Sequence, residues 1–568
     1  MVAARYHQLI IMRHLRRLGH CLVAGAWAGS FVAFLQLLLW PEVALTALGG
    51  LLAGAAWASW GALWIGGAAF LVVEIVALFE PHVAGRRGVD SVLLRWLALA
   101  SGGLVAALAL WNRERTRELL SSDRRQALVV VAAAALLGAA LVAVTTRERW
   151  SHRRRVTVGC AGALLALVAG WSAWRAASIP SLPAEPTHLL FSPLQGRVLV
   201  VTVEGADLPW LLPVMERGVM PFLQGRRERG ALGKVSTVRP FSRAAALTTL
   251  ATGCRPAVHG VAGRRAWRLP WLSDQAATLL LSGPWPSPHH LPWRSWERAA
   301  PPLPRRAPLW EIVARAGGSV AVAGWPFPVE ATWTVPAPLA ADAPPLVATD
   351  ASLRATLEPS LATHGRLAPP TRAAFAVASA LVNETVERSR REPTQSLVLN
   401  LDLASRLRPL WTFPSEDGSS DQVLDAAARF IDDAIGRAWM VLGGEEVLLV
   451  VVSPYGLAPP TPWRRLTSGA DNQAHWRVSP GGSPDGFVLF SGPGVRTSLR
   501  LRGVRLADVT ATVLYLLDLP IARDMAGRVL LDAVEAERVA TKPLRLTSSY
   551  PASVGVRHAE TTGLPARR

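Results

Sequence analysis

Two side chains between Gly196 and Gly260 have the types and spacing for hydrolytic chemistry. Glu204 follows a continuous apolar run, Val198–Val203, and opens the sequence Glu204-Gly205-Ala206-Asp207. A short apolar run that stops at turn residues reads as a buried strand. Ser242 stands just ahead of a small-residue helical run that closes at Thr252-Gly253. A carboxylate at a strand's C-terminal end, facing a hydroxyl at a helix N-terminus, is a common way to assemble a nucleophile and its activating group. Both positions also have ordinary structural duties. A strand-end carboxylate can bond nearby backbone, and Ser before an Ala-rich helix is a common N-cap.

The elements that must position these residues follow in the chain after about residue 196. Strands are expected at Val198–Val203, Ser319–Ala323, Leu397–Leu401, Val447–Val452 and Gly486–Phe490. Helices are expected at Trp210–Gly230, Ala244–Ala251, Ala307–Ala316, Thr371–Arg388 and Ser420–Leu442. Short apolar strands alternating with longer amphipathic helices imply an α/β domain whose mostly parallel sheet carries helices on both faces. The Pro-rich stretches Pro270–Pro304 and Pro336–Pro345 read as surface excursions. No phosphate-cradling P-loop and no dinucleotide glycine fingerprint occurs.

The first third has a different character. The chain of 568 residues is 51% hydrophobic, and the apolar excess is concentrated before about residue 176. Cys21–Trp40, Val43–Phe79, Ser91–Trp111, Ala127–Thr146 and Val156–Trp174 are each long enough to span a bilayer. Glu74 and Arg95 are the only charges inside them. The count is five if Val43–Phe79 is one tilted helix, and six if it turns at Ser59-Trp60-Gly61. With five spans, Arg5, Arg13, Arg16, Arg17, Arg86, Arg87 and the arginines between Arg147 and Arg155 collect on the cytoplasmic side. Five is therefore preferred, and it puts the C-terminal domain outside the cytoplasm. The expected organisation is a multi-pass membrane anchor over 1–176, a Pro- and Ser-bearing linker over 177–195, the α/β domain over 196–535 and a basic, loosely ordered tail over 536–568.

The net charge of +19 rests almost wholly on arginine, with lysine only at Lys234 and Lys542. Much of it flanks apolar segments, where it orients membrane helices, and no nucleic-acid-binding module accompanies it. Nucleic acid is not an expected partner. Cys21, Cys160 and Cys254 have no CxxC spacing, so neither a zinc ribbon nor a disulfide framework is indicated.

Seven motifs in order now carry a resemblance. They are VLVVTVEGAD, PFSRAAALTTLATGCRPAVHGV, PLWEIVARAGGSVAVAGWPFP, LNLDLASRLRPLW, EEVLLVVVSPYGL, FVLFSGPGV and LADVTATVLYLLDLPIARDMAGRVLL. Together, over about residues 196–532, they resemble the alkaline phosphatase superfamily, most closely its type I phosphodiesterase/nucleotide pyrophosphatase-like branch. The resemblance implies a two-metal site, usually zinc, that activates a Ser or Thr nucleophile and stabilises a transferring phosphoryl group.

The residues that fall on the family's site positions do not all suit that chemistry. The first metal-binding Asp falls on Glu204, whose extra methylene shifts its oxygens by about an ångström, which a two-metal geometry tolerates poorly. The nucleophile falls near Ser242, with Arg243 at the position counted back from Thr252-Gly253. The Asp-x-x-x-His pair falls on Asp402 and Arg406, and a guanidinium cannot ligate a metal. The Asp-His pair of the Ser-Asp-His-Gly segment falls on Pro454 and Tyr455. The last ligand His corresponds to His475. Glu204, Asp402 and His475 are thus remnant ligands, while Arg406, Pro454 and Tyr455 replace the others. Arg243 and Arg406 are expected to pair with Glu204 and Asp402, and are candidates for holding an anion. His259 matches a His-Gly that reads as structural, and His289-His290, near Trp285 and Trp293, read as a solvated loop.

The expectation is a membrane-anchored protein with a degraded two-metal site: a pseudoenzyme with a binding or scaffolding role at the cell envelope and no metal cofactor. Its expected partners are the lipid bilayer and an anionic ligand or an envelope protein. The alternative is an active phosphodiesterase or transferase acting on envelope or lipid-linked phosphodiesters, with Ser242 as nucleophile and zinc or another divalent metal.

Overall fold

The structure is a computed structural model of the 568-residue chain. It describes residues 2–38, 59, 61–79, 87–118, 120–145, 152–177, 196–239, 241–261, 266–268, 297–299, 304–326, 329, 331–336, 369–407, 419–456 and 485–552. The chain divides into two compact units, Met1–Ser181 with Ala262–Pro302, and Leu182–Val261 with Leu303–Arg568.

The first unit is helical. Its helices are α1 (Val2–Leu38), a π-helical turn (Ala62–Gly66) continuing into α2 (Gly67–Phe79), α3 (Arg87–Arg115), α4 (Ser122–Thr145) and α5 (His152–Ala177). Glycines let the π-helical turn lie directly on α1. A Cβ at Gly61 would overlap Gly25 and Gly29, and one at Gly66 would overlap Cys21 and Leu22. Further along, Glu74 takes His14 Nδ1 at 3.0 Å and Arg17 Nη1 at 3.4 Å. Residues 61–79 therefore run antiparallel to α1, toward its N-terminal end. Among the described residues one helix, Ser122–Leu141, is long and apolar enough by itself to cross a membrane. Among the described residues no other helix meets that measure, and much of the expected span Val43–Phe79 lies outside them. A two-stranded hairpin, β3 (Ala266–Arg268) with β4 (Glu297–Ala299), completes what is described of this unit. The rest of the Pro270–Pro304 stretch, with His289-His290, Trp285 and Trp293, lies outside the described residues.

The second unit is built on an eight-stranded sheet of order β10-β2-β9-β8-β1-β7-β5-β6. Its strands are β1 (Arg197–Val203), β2 (Gly230–Ser236), β5 (Val320–Ala323), β6 (Trp333–Val335), β7 (Ser396–Leu401), β8 (Val447–Ser453), β9 (Gly486–Ser491) and β10 (Leu499–Arg505). All neighbours pair parallel except β9, which runs antiparallel to both β8 and β2. The mostly parallel sheet is thus as expected. One face is covered by α6 (Leu208–Glu216), α7 (Pro221–Glu228), α11 (Pro369–Arg391) and α13 (Ser419–Leu442), whose Leu211, Leu223, Phe375, Phe430 and Ile435 join Leu199, Val201 and Leu399 in one core. On the other face, α8 (Arg243–Thr252), α10 (Leu309–Arg315) and α14 (Leu506–Leu516) bring Leu250, Trp310 and Val509 to Val200, Thr202 and Val398. A strand buried on both faces must be apolar throughout, which is why β1, β7 and β8 read as continuous Val/Leu runs.

Three details differ from the sequence reading. The expected helix Trp210–Gly230 is two helices, α6 and α7, because the chain turns through Gly218 at φ 73° and restarts at Pro221, the favoured first helical position. Gly230 does not end a helix; it opens β2, which together with β6 and β10 was not foreseen. The region after 535 is also partly ordered, with α15 (Ala536–Thr541) and β12 (Leu546–Thr547), the latter pairing with β11 (Ile521–Ala522). The tail beyond 552 lies outside the described residues.

Candidate functional site

The sheet order makes the site. β1 lies between β7 and β8, all three parallel and in register, so their C-terminal ends stand side by side. Glu204 follows β1, Asn400 and Asp402 flank the end of β7, and Ser453-Pro454-Tyr455 leaves β8. In open α/β sheets this carboxyl edge is where ligand sites form. Backbone bonds lock the turns together: Glu204 N donates to Leu401 O at 2.9 Å and Gly205 N to Tyr455 O at 3.2 Å. Gly205 has φ 87°, and a Cβ there would come within 3.0 Å of Ser405, so the Glu-Gly step suits this crowded edge. Ser453 Oγ donates to Tyr455 O at 2.8 Å and accepts from Ala206 N at 3.3 Å, joining the turn after β8 to the turn after β1.

Ser242 and Arg243 come from the other side, at the start of α8. Ser242 has extended backbone, φ −140° and ψ 126°, and its Oγ accepts from Ala245 N at 3.4 Å. It is the N-cap of α8, the structural duty foreseen beside the chemical one. Arg243, the first helical residue, reaches the buried Glu204. Its Nε lies 2.5 Å from Glu204 Oε2 and its Nη2 2.6 Å from Oε1, a bidentate pair. Asn400 Nδ2 donates to Oε1 at 2.8 Å and the Tyr455 hydroxyl to Oε2 at 2.7 Å. An ionised carboxylate offers about four acceptor positions, and Glu204 has four donors.

The second carboxylate is engaged as well. Asp402 Oδ1 accepts from Arg406 Nε at 2.7 Å, and its Oδ2 lies 3.8 Å from Arg243 Nη2. Arg243 therefore stands between Glu204 and Asp402, with Ser242 as its chain neighbour. Two arginines and two carboxylates make the cluster electroneutral. His475 lies outside the described residues.

The electrostatics follow from burial and pairing. Complete burial by itself would push the Glu204 carboxyl upward, but the charge and hydrogen bonds of Arg243, with Tyr455 and Asn400, outweigh it and hold the group below the usual carboxylate range. Burial acts against the charge of Arg243 too, and Glu204 more than restores it. Burial and the adjacent Glu204 charge push the Tyr455 phenol well upward, so it stays a neutral donor. Its ring meets Phe241 edge-on at 4.7 Å, which closes the apolar side of the cluster.

These residues do not fit a two-metal centre. Every acceptor position on Glu204 is filled by a protein donor, and a guanidinium occupies the space between the two carboxylates. At the replaced positions, Arg406 is a fixed cation, Pro454 has no ligating side-chain atom, and Tyr455 spends its hydroxyl on Glu204. Among the described residues, no three His, Cys, Asp or Glu side chains gather in a metal-binding group.

Asn400 was missed by the sequence reading, although it is the one polar side chain, other than the opening serine, in the strand Ser-Leu-Val-Leu-Asn-Leu. That break in an apolar strand two residues before Asp402 was the available signal. His259 lies apart from the cluster. It is wholly buried, its Nδ1 accepts from Val261 N at 3.1 Å, and its Nε2 is 3.0 Å from Thr249 Oγ1. Because Nδ1 accepts, the ring proton sits on Nε2 and points at Thr249. Burial, with the charge of Arg305, pushes this imidazole down to about 3. The structural role expected for it agrees with this geometry.

Residues 198–476 match the sequence model of the family described as type I phosphodiesterase / nucleotide pyrophosphatase. By overall sequence, no curated protein matches the chain. Solved structures similar to it include murine ectonucleotide pyrophosphatase/phosphodiesterase 5, at 14% identity and a TM-score of 0.36, covering 60% of this chain and 100% of that one. A 2-O GAG sulfatase is similar at 10% identity and a TM-score of 0.37, covering 59% of this chain and 73% of that one. Phosphonoacetate hydrolase from Sinorhizobium meliloti 1021 is similar at 16% identity and a TM-score of 0.28, covering 49% and 60%. The family match over 198–476, most of it on the second unit's mostly parallel sheet flanked by helices, makes this part of the chain similar to the phosphodiesterase/pyrophosphatase branch of the alkaline phosphatase superfamily.

Proposed function

We propose that the chain is a membrane-anchored pseudoenzyme of this superfamily, with a binding or scaffolding role at the cell envelope and no metal cofactor. The observation that carries the reading is the four-donor saturation of buried Glu204, led by the bidentate Arg243. A ligand carboxylate must offer lone pairs to the ion, and this one has none to offer. Ser242 is spent as a helix cap, and among the described residues no His, Asp or Glu side chain is hydrogen-bonded to its hydroxyl. The anion-holding role foreseen for Arg243 and Arg406 is not favoured either, since each guanidinium already bonds a carboxylate in a neutral cluster. Binding then falls to other surfaces of the domain.

Two features of the first unit support the anchor. Among the described residues, all exposed large apolar side chains lie between Ile11 and Trp171 except Met440, Leu531, Val539, Leu544 and Leu546. Helices that turn Leu71, Trp96, Leu104, Leu137, Leu167 and Trp171 outward suit lipid, not water. The antiparallel run of 61–79 along α1 supports five spans over six. A turn at Ser59-Trp60-Gly61 would send that segment parallel to α1. Five spans with a cytoplasmic N-terminus put the domain outside.

One preparation tests both halves. In intact spheroplasts carrying the full chain, externally added protease is expected to remove the domain, while an added chromogenic phosphodiester, with zinc or manganese present, is expected to be turned over no faster than by cells lacking the chain. Turnover abolished by Ser242→Ala would establish the active phosphodiesterase instead, and complete protection of the domain would overturn the topology.

A further inference from the structure

The outer strand β10 reads Leu-Arg-Leu-Arg-Gly-Val-Arg, and its inward Leu501 and Val504 are buried while Arg500, Arg502 and Arg505 are exposed. It lies at one edge of the eight-stranded sheet. Its pairing with β2 shifts register between Leu501 and Val504, at a bulge through Gly503 with φ 63°. A fourth exposed arginine, Arg528, comes over this bulge, its Nη2 3.9 Å from where a Cβ of Gly503 would sit. Two bonds fix it there: Arg528 N donates to Asp508 Oδ1 at 2.8 Å, and Arg505 Nη2 donates to Ala526 O at 3.0 Å. Arg505 is neutralised by Asp508 at 3.0 Å. Among the described residues, Arg500, Arg502 and Arg528 have no carboxylate partner.

Elsewhere in the domain Arg217, Arg226, Arg229, Arg239, Arg306 and Arg538 each meet an acidic side chain. The exposed arginines that meet none among the described residues, such as Arg255, Arg391, Arg429 and Arg523, stand singly on separate elements, whereas Arg500, Arg502 and Arg528 gather at one edge. The bulge alone discourages pairing with a foreign strand, so three unpaired arginines exceed what edge protection requires. β10 itself exposes no large apolar side chain, and Leu531 beside it is a single one, too little for a peptide or helix as occupant. What fits a row of unpaired guanidinium groups is a surface of phosphates.

We propose that the β10 edge is a docking surface for the phosphate groups of an anionic lipid bilayer, held by Arg500, Arg502 and Arg528. Lipid is favoured over nucleic acid because the same chain turns apolar side chains outward along the helices of its first unit, and because among the described residues the patch has no exposed aromatic side chain on which bases would stack. The inference names a partner for the binding role proposed above, but it stands whether or not the cluster at Glu204 has activity.

The test uses the full chain held in phosphatidylcholine nanodiscs and mixed with separate vesicles. Vesicles of equimolar phosphatidylcholine and phosphatidylglycerol are expected to bind it and pure phosphatidylcholine vesicles are not. Each basic side chain near an anionic surface is worth about fivefold, so R500Q/R502Q/R528Q is expected to lower partitioning by about 100-fold. R217Q/R390Q/R391Q, with the same change of charge elsewhere, is expected to lower it only a few-fold. Salt that shortens the Debye length to about 3 Å is expected to release the unaltered chain, a readout independent of how the variants fold. Equal binding to both vesicles, an equal loss in the two triple variants, or binding to a single-stranded oligonucleotide in preference to phosphatidylglycerol would each overturn the proposal.

Discussion

Replacing Arg243 with alanine is expected to cost the domain about 3–5 kcal/mol, the usual loss when one partner of a buried ion pair is removed. Glu204 is wholly buried. In R243A its carboxylate would keep Asn400 and Tyr455 as neutral donors but lose its only bidentate cation. A loss of that size is a large part of the roughly 5–15 kcal/mol that holds a typical domain together. Glu204→Gln in the same background removes the stranded charge, so E204Q/R243A is expected to recover much of the loss. Denaturant unfolding of the full chain in detergent, followed through the domain's buried tryptophans, would measure all three proteins. If R243A unfolded with the unaltered chain, or if the double variant were no better than R243A, the pair would not be the internal counter-charge described above.

The second large effect is an acid sensitivity built around His259. Its folded value of about 3 lies below the ordinary value of 6.5, so the unfolded chain takes up this proton first as pH falls. The stability contributed by the neutral ring is therefore complete above about 6.5 and is lost as pH falls toward 3, at about 1.4 kcal/mol per pH unit. His259→Gln, which cannot titrate, is expected to be less stable at neutral pH, because Val261 N loses its acceptor. The variant should also show a flatter acid limb between those two pH values. Carboxylates titrate in the same range, so the difference between the two unfolding curves is the measurement. Parallel curves would mean that the imidazole is not held neutral.

Much of the fold was legible because burial on both faces leaves a plain signature. Val198–Val203, Leu397–Leu401 and Val447–Val452 are apolar at every position but Thr202 and Asn400, and each is a central strand. β2 was not legible, since Gly230 and Gly233 lower its strand character. Those glycines are required where other backbones come close, for a Cβ at Gly230 would strike Phe490 O and one at Gly233 would lie 2.6 Å from Leu501 Cβ. β10 hid for another reason: its alternating arginines and its bulge belong to an edge.

Within the cluster, the Arg406–Asp402 pair could be foreseen because the two residues stand four apart, a spacing that one helical turn closes. The partner of Arg243 was one of two nearby carboxylates, and only the strand order shows that Glu204 takes the bidentate contact and Asp402 the longer one. The donation from Tyr455 depends on the β1–β8 register, which no local sequence pattern encodes.

Arg243 and Arg406 pair with Glu204 and Asp402, the carboxylates to which the resemblance assigns metal, and metal content tests the proposed loss of the metals most directly. The full chain, purified in detergent, exposed to zinc or manganese and then desalted, is expected to retain far less than one ion per chain and to show no shift of its unfolding midpoint with chelator. Retention of one or two ions per chain, lost on Asp402→Ala, would contradict it.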